Sequence, residues 1–153
     1  LFLATSLYIS IIDTLSIPIV VNQTITSSKY KVDQNNLIIY VDPATKVETF
    51  KTNISSTNTN VYKNKDMITS GYITTGMTIS NYTIIVKGDV TGDGLVKMND
   101  VMKISKYIVD STGMDEEVYK KAADVTSDNY IRMNDVMKIS TYIVEGGTLW
   151  KIK

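Results

Sequence analysis

The chain repeats itself. DVTGDGLVKMNDVMKISKYIV (Asp89 to Val109) aligns without a gap on DVTSDNYIRMNDVMKISTYIV (Asp124 to Val144), and 15 of the 21 positions are identical. A repeat this close means two copies of one supersecondary unit, each burying its apolar stripe against the other. After the twelfth residue of each copy the apolar positions fall at helical spacing: Val101, Ile104 and Ile108 in the first, Val136, Ile139 and Ile143 in the second. Two helices sharing one core are therefore predicted. Asp115-Glu116-Glu117 followed by Val118, Tyr119 and Ala122 predicts a short connecting helix, and Gly146-Gly147 the end of the last one.

The twelve residues before each helix carry the chemistry. A loop of that length wraps a calcium ion when oxygens come from positions 1, 3, 5, 7 and 12 and the chain turns sharply at position 6. In the first copy Asp89, Thr91 and Asp93 stand at positions 1, 3 and 5, Gly94 makes the turn, Leu95 offers its carbonyl and Asp100 closes the loop. In the second copy Asp124, Thr126, Asp128, the Tyr130 carbonyl and Asp135 take those places. Asn129 stands at the turn there, a residue that enters the left-handed region at modest cost. Position 8 is apolar in both, Val96 and Ile131, as a short strand pairing the loops requires. Thr at position 3 offers one neutral oxygen and Lys97 or Arg132 at position 9 offers none, which weakens both sites. Magnesium, with its smaller octahedral shell, suits a long loop closed by a carboxylate less well than calcium.

Composition narrows the alternatives. Without histidine or cysteine the chain has no Ser-His-Asp or Cys-His catalysis, no thiolate chemistry and no ordinary zinc site, which leaves oxygen-only metals. Basic and acidic residues balance at 16 each, so no overall field attracts nucleic acid or an anionic membrane. At 153 residues the chain holds one ordinary domain or two small ones, and small ones lean on a metal for stability.

Residues 28–87 differ in composition, being rich in Thr, Asn, Ser, Ile, Val and Tyr in short runs separated by turn residues. Strands are predicted at LIIYV (Leu37 to Val41), VETF (Val47 to Phe50) and YTIIVK (Tyr82 to Lys87), with breaks at Asn35-Asn36, Ser70-Gly71 and Ser80-Asn81. The expected fold class is α+β: a small antiparallel β module of Ig-like or sandwich type, then an all-α pair of loop–helix repeats over 88–147, then a tail over 148–153. Residues 1–27 open with the apolar stretch LFLATSLYISII, which is too short to span a bilayer. It reads either as the remnant of a signal peptide or as an N-terminal strand, and a start at Leu1 instead of Met is compatible with a piece of a longer reading frame. Trp150 either covers the junction near Gly88 or lies on an exposed tail.

An EF-hand would place a helix before each loop, whereas here the first loop follows a strand directly. A duplicated loop-and-helix unit that opens with Gly-Asp-Val-Thr-Gly-Asp-Gly and closes its loop with Asp resembles the type I dockerin family over Gly88 to Gly147. The preceding segment, with TTGM (Thr74 to Met77) and YTIIVKGD (Tyr82 to Asp89), is similar to small modules that precede dockerins in secreted bacterial proteins. The resemblance implies two Ca2+ ions and a cohesin-domain partner, in a secreted polysaccharide-degrading, cellulosome-like assembly outside the cell or at its surface. It also implies partner contacts at loop positions 10 and 11 and on one helix face, here Met98, Asn99, Met102, Ser105 and Lys106, and Met133, Asn134, Met137, Ser140 and Thr141. Where the best-known members carry a Ser-Thr pair in the loop, this chain carries Met-Asn, so the particular cohesin is not read from the motif.

The residues themselves point the same way. Each helix has a second stripe beside its core stripe, Met102, Ser105 and Val109 or Met137, Ser140 and Val144, which is either a contact surface suited to flexible Met side chains or part of the small core. Near-identity of the copies predicts that either helix can present the same face, giving two binding orientations. Two other classes remain open: the non-catalytic tail of a larger secreted glycoside hydrolase or adhesin, and a calcium sensor of EF-hand type. Catalysis within these residues is not expected, because the acids are taken up by the loops or by exposed helix turns.

Overall fold

The computed structural model describes residues 24–149, so the readings of the apolar N-terminal stretch and of Trp150 lie outside the described residues. Six strands, β1 (Lys31–Asp33), β2 (Ile38–Val41), β3 (Val61–Lys63), β4 (Asp66–Ile68), β5 (Thr78–Ile79) and β6 (Tyr82–Val86), accompany four helices, α1 (Val47–Thr52), α2 (Met98–Asp110), α3 (Glu117–Ala123) and α4 (Met133–Glu145). The strands make one sheet in the order β1-β2-β6-β5-β3-β4. It is mixed: β2 and β6 run parallel at its centre, Ile39 opposite Ile84 and Val41 opposite Val86, and the other pairings are antiparallel. The expected antiparallel sandwich is thus replaced, among the described residues, by a single sheet.

Turn chemistry explains where the strands stop. Asp33 Oδ1 accepts the N–H groups of Asn35 and Asn36 at 3.1 and 3.0 Å, folding the chain back between β1 and β2. Ser80, with φ of 54°, turns the chain between β5 and β6. VETF, expected as a strand, is the start of α1. Its apolar residues Val47 and Phe50 are three apart, a spacing that puts both on one side of a helix but on opposite faces of a strand, and both are fully buried.

Alternation along the two central strands divides the interior in two. Ile39, Val41, Ile84 and Val86 point to one side, where they pack with Val47 and Phe50 of α1, Val61, Ile73 and Ile79. Ile38 and Ile85 point to the other, into a core shared with Val101 and Ile104 of α2, Ala122 and Ala123 of α3, and Val136 and Ile139 of α4. Ile108 and Ile143, at the next positions of the helical stripes, are packed partly buried against this second core. The loop–helix repeats therefore cover one face of the sheet.

The junction is tight. Gly88 donates its N–H to the Ala122 carbonyl at 2.8 Å, and a Cβ at Gly88 would meet Val96 at 2.9 Å and Leu149 at 3.1 Å. Leu149, buried at 1% exposure, brings the end of the described chain back against Gly88 at the start of the repeats. Val96 and Ile131 do not form the expected strand between the loops; each packs partly buried against the second core, which satisfies their apolar character without a ladder. Gly146 caps α4 at positive φ, as its sequence predicts.

Candidate metal centre

Each loop leads into its helix through its closing aspartate. Asp100, third residue of α2, accepts the N–H of Lys97 on Oδ2 at 2.9 Å and those of Val90 and Thr91 on Oδ1 at 3.1 and 3.0 Å. Asp135 does the same in the second copy, taking the N–H groups of Arg132 and Thr126 at 3.0 Å each. One carboxylate thus fastens the helix start and draws the loop's first residues to its last. The hydroxyls of Thr91 and Thr126 donate to these same carboxylates at 2.9 Å, so position 3 sits at the centre of each loop.

The first aspartate of each loop organises the turn. Asp89 accepts the N–H groups of Gly92, Asp93 and Gly94 at 2.7, 3.0 and 3.0 Å; Asp124 accepts those of Asp128 and Asn129 at 3.1 and 3.0 Å. Gly94 and Asn129 hold the expected positive φ, 79° and 65°. Leu95 and Tyr130, whose carbonyls are the candidates at position 7, donate their N–H groups to Asp93 and Asp128 at 2.9 Å each.

The donor set is chemically suited to a hard divalent cation. Asp89, Asp100 and Asp135 are fully buried, and among the described residues none of them is in an ion pair. Burial pushes the Asp89 carboxyl above its usual range, and the charge of Asp100 adds to the effect. Backbone N–H groups compensate such charges only in part, and a cation could supply the rest. In the second loop Asp124, Asp128 and Asp135 each present a carboxylate oxygen within 4.8 Å of the others. In the first loop Asp93 is turned to Lys97, whose amino group lies 3.0 Å away in a half-exposed pair of small energetic weight. Arg132, at the matching position, stacks on Tyr130 instead, 3.9 Å from the ring centre.

Three lysines that the sequence reading passed over brace the loops. Lys103 donates to the Val90 carbonyl at 2.6 Å and Lys138 to the Val125 carbonyl at 2.9 Å, the same bond in both copies. Their identical place in the repeat was the available signal. Lys87, buried beside the Tyr40 ring, donates to the Asp124 carbonyl at 2.5 Å; burial lowers its pKa to about 8, against the opposing charge of Asp124.

The outer faces of α2 and α4 match. Met102 and Met137 are 67% and 65% exposed, so the core alternative for these residues does not hold. Met98, Met133, Val109 and Val144 are exposed as well, as are Asn99, Lys106, Asn134 and Thr141, while Ser105 and Ser140 are half-buried. Asn134 turns inward, its amide 3.2 Å from Asp128 Oδ2. The second loop, unlike the first, has a helix on each side, α3 before it and α4 after it.

No curated protein and no solved structure matches the chain. The family model described as Dockerin type I domain matches residues 87–144. That family is a calcium-binding docking domain without catalytic function, whose partners are cohesin domains. No helix among the described residues is long and apolar enough to cross a membrane. Both loops, the first exit helix, the connecting helix and nearly all of the second exit helix fall inside the matched span, so the C-terminal part of this chain is similar to the type I dockerin domain.

Proposed function

We propose that residues 88–147 dock their parent protein onto a cohesin domain when two calcium ions fill the loops. The ligands in this reading are Asp89, Thr91, Asp93, the Leu95 carbonyl and Asp100 in one loop, and Asp124, Thr126, Asp128, the Tyr130 carbonyl and Asp135 in the other. The observation that carries it is the pair of matched methionine stripes, exposed on two helices whose first turns are fastened by buried carboxylates without a cationic partner. Soluble surfaces seldom expose such large apolar side chains in register twice, and Met adapts to a partner's contour.

The cohesin would meet Met98, Asn99, Met102, Ser105 and Lys106 in one orientation and Met133, Asn134, Met137, Ser140 and Thr141 in the other. Similarity to dockerins supports a secreted bacterial setting, at the cell surface or beyond, in which the whole protein joins a polysaccharide-degrading assembly. The chain would then be the non-catalytic tail of a larger secreted protein, with any catalysis lying elsewhere.

Calcium-dependent capture of a cohesin-bearing protein is the test. Chelation should lower the helical circular dichroism signal and the melting temperature, with recovery on calcium addition, and Asp89→Ala combined with Asp124→Ala should abolish that recovery. Met102→Asp or Met137→Asp alone should be tolerated in binding, because the other face remains, whereas the double variant should lose the partner without a change in melting temperature. A chelator that leaves both the fold and partner capture untouched would refute the proposal.

A further inference from the structure

The two loops are nearly identical in sequence and unequal in surroundings. The first is clasped by the sheet region at three places. Thr75 donates its backbone N–H to Asp89 Oδ2 at 2.9 Å, Ala44 donates its own to the Gly94 carbonyl at 2.8 Å, and the Lys63 amino group reaches the Gly92 carbonyl at 3.0 Å. The fit at Gly94 is close enough that a Cβ there would run into the Ile73 carbonyl oxygen and come within 2.9 Å of Tyr72. The second loop is reached from the sheet side by Lys87, at the Asp124 carbonyl and more distantly at Ser127, and its turn residue Asn129 is exposed.

We propose that Ala44, Lys63 and Thr75 act as positioning residues for the first metal site, holding the backbone of its loop in place before the ion arrives and leaving the exposed Asp93 side chain to turn from Lys97, so that the two sites fill in order, the first ahead of the second. This rests on the reading that the loops bind calcium and adds that the sheet region is a working part of one of them. The physical argument is preorganisation. A loop that must be ordered by its ion gives up part of the binding free energy to that ordering, and a loop already held by three outside hydrogen bonds does not. The carboxylate at position 1 gains most, since its fourth N–H donor comes from Thr75 and fixes Oδ2, the oxygen that also accepts from Gly94.

The natural control is the second loop itself, which makes its turn with asparagine. Gly94→Asn gives the first loop the residue that the second one uses, so the left-handed turn remains accessible while the new Cβ is forced against Ile73. In the full-length chain, calorimetric calcium titration should resolve two classes of site differing on the order of tenfold, the effect of about one well-made hydrogen bond to a charged group. Asp124→Ala should retain the tighter class, and adding Gly94→Asn to it should weaken that class by a similar factor. Hydrogen exchange on the unsubstituted, chelated protein gives a second readout should the double variant fold poorly: the amides of Gly92, Asp93, Gly94 and Thr75 should stay protected while those of Asp128 and Asn129 exchange freely. Two equal sites, indifference to Gly94→Asn, or equal exchange in both loops would overturn the role given to the sheet region. Absence of calcium heat in the unsubstituted chain would overturn the calcium reading, and this inference with it.

Discussion

Lys87 shows how a single side chain connects the two halves of the interior. It follows the last residue of β6, lies 5% exposed, and ends at the Asp124 carbonyl beside the Tyr40 ring. A charge in such a place is tolerated because carbonyl oxygens and an aromatic face replace water. Lys87→Met keeps most of the packing but leaves the Asp124 carbonyl without its donor, and should cost about 2 kcal/mol in urea denaturation followed in calcium-saturated buffer. Loss of less than a few tenths would mean that water takes the lysine's place. At this scale the sequence was informative wherever a residue's role depends on near neighbours. The positions of Asp89, Gly94, Asp100 and their counterparts follow from spacing along one loop. The donors that reach Asp89 from Thr75 and Gly94 from Ala44 were not legible, because they come from 14 and 50 positions away in the chain and depend on how the sheet docks.

Elements were legible where periodicity ran long enough to distinguish 3.6 from 2. The two thirteen-residue helices α2 and α4 carry an unambiguous core stripe, and β2 and β6 lie within a residue of the expected runs. Failure came at α1, six residues long, where β-branched and aromatic residues favour a strand by propensity while the spacing of Val47 and Phe50 favours a helix. Packing decides: Phe50 lies fully buried against Tyr30, ring centres 5.4 Å apart, which a strand in that place would not allow for Val47 as well. Phe50→Ala should therefore destabilise the protein by about 4 kcal/mol, from lost transfer free energy and an unfilled cavity, as read from the denaturation midpoint. A cost under about 1 kcal/mol would show that α1 is a loosely attached cover. The strand expected at Val96 and Ile131 failed for a related reason, since an apolar residue at position 8 is satisfied equally by a core contact and by a ladder.

For the molecule as a whole, the central strands have no free face. Ile84 and Val86 serve one core, Ile85 and Ile38 the other, and β6 passes into Asp89 through only two further residues. A composition change at residue 88 is visible in the sequence and reads as a boundary between modules, yet buried residues on both sides of it pack into one core. Unfolding should accordingly be one cooperative transition, with far-ultraviolet circular dichroism and tyrosine fluorescence coinciding across the denaturant range. Ile85→Asp, which places a carboxylate in the second core, should lower the midpoint of both signals together. Two separated transitions would show that the repeats and the sheet region are independent bodies that merely touch.

The short passage from β6 into the first loop has a consequence for reach. A docking module on a flexible tether lets its cargo sweep a volume around the anchoring point, whereas in the proposed docking mode the final strand of this sheet would itself be the stalk of the docking face. Whatever is carried by the sheet region would then arrive at the anchor at a set angle, like a bracket and not a leash, and the partner would have to accommodate that angle.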